Sequence, residues 1–261
     1  MFNKSIFSQE KSLVDKIGES DVVFVADIYA EDYLGGAELT TEVFFNTAEM
    51  KVCKVKASEV NNKLIEAGIM KHWVFFNYAS LNATMIPIIV SNLEYSIVEY
   101  DYKFCKYRST EKHLIETGKL CDCENNEIGK MISSFMHGSK KLFWMSEGQQ
   151  NFYQQKFPFL KNNTNFILSS AFSKETLSKL KLNRNSKKSR NGKALIINSN
   201  SWIKGVPDSI EYCKEKGIDF DTLSNVSHDK ILSAMSEYEH FVFMPKGKDT
   251  CPRILIEAKL S

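Results

Sequence analysis

Short apolar runs of strand length, each followed by a longer segment with helical spacing, constrain this chain more than any other feature. The run DVVFVADI at residues 21–28 is almost unbroken in apolar character, as a strand buried on both faces of a sheet requires. Residues 51–55 alternate and predict a second strand, and residues 73–77, 96–100, 142–145 and 165–168 predict four more. Residues 37–48 and 58–67 carry helical patterns, the latter stopping at Gly68, a C-cap signal. Beyond residue 193 the alternation resumes, with strands predicted at 194–198, 219–223 and 241–244. Helices are predicted there at 206–216, 229–236 and 252–260. Such alternation implies parallel sheets joined by helical crossovers. The expected fold is therefore α/β, with two Rossmann-like doubly wound domains.

A stretch rich in Asn, Ser and Lys interrupts the pattern and sets the expected boundary. The N-terminal domain is expected over residues 1–180, a basic polar linker over 181–192 and the C-terminal domain over 193–261. Only three strands fall in the last of these, so that domain reads as small or truncated. At 261 residues the chain is long enough for two cores, and 43% hydrophobic with 25% charged residues is ordinary for a globular protein. No run of about 18 apolar residues is present, which excludes a membrane-spanning helix. The opening residues reach Gln9, Glu10 and Lys11 before an apolar stretch can form, so no secretory leader and a cytoplasmic location are expected.

Charge is unevenly placed. Lys179, Lys181, Arg184, Lys187, Lys188, Arg190 and Lys193 follow one another with no acid between them, and removing these seven charges takes the net +2 to −5. A basic run can bind nucleic acid or anionic lipid. Here Asn and Ser interleave without stacking aromatics, so a solvated linker and no nucleic-acid partner are expected, with peripheral membrane contact as the minor reading. Cys53, Cys105, Cys121, Cys123, Cys213 and Cys251 make no disulfide framework in a chain of this size without a leader. The Cys121-Asp122-Cys123 spacing is tighter than a zinc knuckle pair, and no second pair follows at finger spacing. Free thiols and no metal site are expected. His72, His113, His137, His228 and His240 are scattered and read as surface or packing residues.

In open parallel sheets ligands collect at the carboxyl ends of the strands, and four loops fall there. Gly35-Gly36-Ala37-Glu38 opens a helix, whose amides suit an anion, or is a plain turn with Glu38 meeting the helix dipole. Lys204-Gly205 follows the first strand of the second half; its lysine could pair with a diphosphate or be merely solvated. The segment from Pro245 leads through Asp249, Thr250, Cys251 and Pro252 into Arg253 and Glu257. Asp249 or Thr250 can cap that helix, with Pro252 in its first turn. Glu257 follows three apolar residues and needs a partner, which sugar hydroxyls or an interdomain salt bridge could provide. Glu99 and Asp101 end the fourth strand beside Tyr100 and Tyr102, a setting that suits polyol recognition and equally suits a turn.

In order and separation, Gly35-Gly36-Ala37-Glu38, Lys204-Gly205 and the pair Asp249 and Glu257, eight residues apart, together resemble the group 1 (family four) glycosyltransferases. The resemblance runs over almost the whole chain and rests on short motifs. It implies a GT-B fold, two Rossmann-like domains facing a cleft, with a nucleotide-sugar donor held mostly by the second. Glu257 would grip the ribose hydroxyls, Asp249 would contact the transferred sugar, and Lys204 would neutralise the diphosphate. Gly35 and Gly36 would lie beside the donor, with Thr250, Cys251 and Arg253 near its phosphates or sugar. Glu99 and Asp101 would face a saccharide, lipid-linked or protein acceptor. Transfer would proceed with retention and without metal or other cofactor. Two departures accompany the resemblance: Ser199 stands where the family carries an arginine before its lysine, and the family's chains continue past the residue matching Glu257. A nucleotide-sugar epimerase and a non-catalytic nucleotide-binding fragment are the alternatives.

Overall fold

The computed structural model describes residues 11–186 and 189–261. Residues 1–10, on which the leader expectation partly rests, and Lys187 and Lys188 of the basic run lie outside the described residues. The larger sheet contains β1 (Val22–Ala26), β2 (Val52–Lys56), β3 (His72–Phe75), β4 (Glu94–Glu99), β5 (Lys141–Trp144) and β6 (Thr164–Ile167). All pair in parallel, in the order β2-β1-β3-β4-β5-β6. Its helices are α1 (Leu13–Gly18), α2 (Gly36–Thr47), α3 (Asn62–Ala67), α4 (Met85–Asn92), α5 (Thr110–Thr117), α6 (Glu127–Gly138) and α7 (Glu147–Lys156). Helix α8 (Lys174–Arg184) then leads to a parallel sheet of β7 (Ala194–Ile197), β8 (Phe220–Leu223) and β9 (His240–Phe241), ordered β8-β7-β9. With it come α9 (Val206–Glu215), α10 (His228–Met235) and α11 (Arg253–Leu260).

Alternation along β1 explains its unbroken apolar run. Val23 and Val25 enter one core with α1, α3, α4, α6 and α7, while Val22, Phe24 and Ala26 enter another beneath α2. Successive side chains point to opposite faces, so a strand covered on both sides has no polar face to display. The smaller sheet repeats the arrangement: Leu195 packs with α8, α10 and α11, and Ala194 and Ile196 pack with α9.

Two local expectations are corrected. The helix expected over 58–67 is a 3-10 turn, Ala57–Glu59, followed by α3, because the Asn61 side chain accepts from the amides of Lys63 and Leu64 and starts the helix there. The strand expected over 241–244 is shorter: Val242 N still donates to Leu195 O, but Met244 N donates to the Ser209 hydroxyl at 3.1 Å and leaves the sheet. Helix α8 spans residue 180, and Leu180 belongs to the core of the smaller sheet with Leu195, Leu232 and Met235. Lys179 pairs with Asp229 and Lys193 with Asp221, so these bases of the run lie against the smaller sheet's half. Among the described residues no helix is long and apolar enough to cross a membrane.

Candidate functional site

Strand order fixes where a ligand can sit. In the larger sheet the chain passes from β1 to β2 on one side, then to β3 on the other, so the loops after β1 and β3 diverge and leave a crevice. The Asp27 carboxylate ties the two loops, accepting from the amides of Ala79 at 3.0 Å and Ser80 at 2.8 Å. The smaller sheet reverses direction about β7, between the loops after β7 and β9. These crevices share one cavity of about 580 Å3, within the roughly 300–1,000 Å3 of small-molecule sites.

Of the expected residues, Gly35, Gly36, Asp101, Lys204, Asp249, Thr250, Cys251, Arg253 and Glu257 all line this cavity. Glu99 does not line it: the side chain is 1% exposed, accepts from the Tyr78 hydroxyl at 2.9 Å and pairs with Lys103 at 3.3 Å. Burial raises its carboxyl to about 7, with the Lys103 charge partly offsetting the rise. Asp101 reaches the cavity and pairs with Lys103 at 3.1 Å and with Arg108. Burial works against its ionisation, but the two cations outweigh it and hold the carboxyl below the usual range.

Gly35 is the N-cap of α2 and offers no capping side chain. Burial raises the Glu38 carboxyl, opposed by the amides of Glu38 and Gly35 and by the Arg108 charge. Glu38 therefore meets the positive end of its own helix, the plainer of the two roles open for this loop. A Cβ at Gly36 would meet the Cβ of Arg253 at 3.4 Å, an ordinary contact, so the packing there does not demand glycine.

Opposite lies the constellation of the smaller sheet. Lys204, in the 3-10 turn Trp202–Lys204, donates to Asp249 at 2.9 Å. Neither Asp249 nor Thr250 caps α11: Pro252 occupies the N-cap position, and the Thr250 hydroxyl instead donates to Tyr100 O at 2.6 Å. Cys251 Sγ lies 3.5 and 3.3 Å from the hydroxyls of Ser169 and Ser170. Arg253 is 5% exposed, donates to Glu257 Oε1 at 2.8 Å and to Ala171 O, and stacks on Phe172. Its side chain thus clamps Glu257 and the chain leading to α8.

Glu257 is 1% exposed, and Oε1 also bonds His228 Nε2 at 2.9 Å. His228, read from the sequence as a surface or packing residue, lines the cavity at the start of α10. Only the fold brings it to Glu257, 29 residues away, so no local pattern could have flagged it. Arg108 and Lys248 are likewise cavity cations that the sequence did not single out. Ser199, at the position of the missing arginine, lines the cavity with its hydroxyl accepting from Ser201 N at 3.1 Å.

The arrangement sets carboxylates backed by cations on both walls and a lysine near the mouth of a helix, a set suited to a polyhydroxylated anion. In comparison with known proteins, no family model and no curated protein matches this chain.

Proposed function

We propose that the cavity binds a nucleotide sugar and that the protein is a glycosyltransferase acting on a saccharide, lipid-linked or protein acceptor. One observation carries the reading: Glu257, anchored through Oε1 by Arg253 and His228, shares one cavity with the Lys204–Asp249 pair. Both anchoring bonds use Oε1, which leaves Oε2 to accept from a ribose hydroxyl. Lys204 would exchange Asp249 for the diphosphate. Asp249, so released, would take a hydroxyl of the sugar. As the glycosidic bond to phosphate breaks, negative charge grows on the departing diphosphate, and Lys204 with the amides opening α11 would stabilise it. Arg108 and Lys248, further cations lining the cavity, would take the part of the arginine that Ser199 lacks.

A nucleotide-binding protein without transferase activity is the second reading, favoured by Ser199 and by the engagement of Lys204 with Asp249. Thermal unfolding against a panel of nucleoside diphosphates and nucleotide sugars tests both. A ligand that binds the native state raises the melting temperature by mass action, by about 2.7 kcal/mol of stabilisation at a hundredfold excess over Kd. The expected result is a rise with one nucleotide, lost in Lys204→Ala and Glu257→Ala and enlarged in Asp249→Asn for the diphosphate lacking a sugar. No rise with any of them would overturn the donor site. A rise without consumption of the sugar donor across a range of acceptors would favour binding without transfer.

A further inference from the structure

Away from the cavity, the fold gathers Cys105, His113, Cys121 and Cys123, and their Sγ and ring-nitrogen atoms all lie within 4.8 Å of one another. We propose that these four side chains form a structural zinc site. Cys105 precedes α5, His113 lies on it, and Cys121 and Cys123 follow it, so the chain wraps three thiols around one imidazole. His113 Nδ1 is 3.7 Å from Cys105 Sγ and 3.4 Å from Cys123 Sγ. Tetrahedral zinc with Zn–S of about 2.3 Å and Zn–N of about 2.0–2.1 Å sets its sulfur and nitrogen ligands about 3.5 Å apart. The two observed separations bracket that value.

Packing supplies an independent argument. A short helix in a protein depends on burying an apolar face. Helix α5 buries only His113, while its Leu114 and Ile115 are 42% and 63% exposed and Leu120 beyond it is 81% exposed. Apolar contacts therefore do not explain why α5 is held where it is, whereas coordination of its single buried side chain does. Cys105 and Cys123 are 1% and 2% exposed, and His113 and Cys121 are 9% exposed, which makes the centre closed yet reachable by an ion. Soft thiolates with one imidazole select Zn2+ over Mg2+ or Ca2+, and four protein ligands leave no open position for catalysis. On binding, three thiols release their protons to solvent and the imidazole coordinates as the neutral base, with no change of oxidation state. The Cys-x7-His-x7-Cys-x-Cys spacing has no second close pair, so it escapes a search for paired cysteines.

Such a centre would brace the wall of the cavity. The segment it holds carries Arg108, and Glu111 of α5 lies 3.9 Å from Lys248 on the opposite loop. The test is metal analysis of the untagged full chain purified without chelator, followed by exchange for Co2+. About one zinc per chain surviving gel filtration is expected. The cobalt form should show thiolate-to-metal charge transfer and tetrahedral d–d bands. Cys121→Ser and Cys123→Ser should lose the metal, Cys213→Ser should keep it, and His113→Cys should keep it with a shifted cobalt spectrum. These readings do not involve the nucleotide cavity, so they stand or fall separately from the proposed activity. A wild-type chain that takes up no zinc on titration would overturn the site. Disulfides among the three cysteines, or zinc retained undiminished in both serine variants, would overturn it equally.

Discussion

Glu99 is the residue where burial and charge are in sharpest conflict. Its carboxyl is buried behind the cavity wall with the Tyr78 hydroxyl and the Lys103 ammonium, and burial raises it to about 7. The unfolded chain releases this proton near the ordinary carboxyl value of about 4.3, so between there and about 7 the native state holds the proton and the unfolded state does not. The stability this group contributes is present at low pH and is lost as pH rises through that window, on the order of 3 kcal/mol in all. Asp101, whose carboxyl is held low, acts in the opposite sense but only at more acidic pH. His72, whose burial lowers its ring, also acts oppositely and within the same window, so the measurement must be paired. Denaturant midpoints at pH 5 and pH 8 should fall less in Glu99→Gln than in wild type. An equal fall in both proteins would mean that Glu99 is ionised throughout.

Among the elements, those with strong local signals were legible and those assembled by distant contacts were not. β1 and β7 could be read because both-face burial writes a continuous apolar run, and α11 because helical spacing follows a proline. β9 was overread, since Phe243 and Met244 have strand-like character but the Ser209 hydroxyl draws the chain out of the sheet. His228 carries no local signal because tertiary packing sets its partner, and the tight Cys121–Cys123 pair gains Cys105 and His113 only in the fold. Gly205 is required by the backbone itself. Its φ of 56° lies in the left-handed region, and a Cβ would stand 1.7 Å from the Met244 carbonyl oxygen. It lets α9 start against the strand-end loop. Gly205→Ala should therefore cost at least about 2 kcal/mol, from left-handed backbone strain plus displacement of that carbonyl. Chemical denaturation of the variant without ligand measures it, and a loss below about 0.5 kcal/mol would show that the loop relaxes freely.

For the molecule as a whole, specific polar ties join the two sheets among the described residues. Thr250 donates to Tyr100 O from the smaller sheet's loop to the larger sheet's strand end, and Arg253 donates to Ala171 O in the chain joining the halves. The proposed donor would add to these ties, because its two ends have different partners. The nucleoside and diphosphate would lie against Lys204 and Glu257, while the sugar, with a hydroxyl on Asp249, would extend toward Gly36 across the cavity. Hydrogen exchange can separate the two contributions, since slowed exchange reports the local opening energy of each segment. A nucleoside diphosphate alone should protect amides over residues 249–257 and leave residues 36–40 little changed. The matching nucleotide sugar should extend protection to residues 36–40, because only the sugar spans the gap. Equal protection of both walls by the bare diphosphate would place the phosphates against α2 instead. Glu38, already drawn to that helix end, would then have to leave it, and Glu38→Gln would tighten diphosphate binding where the present reading expects no change.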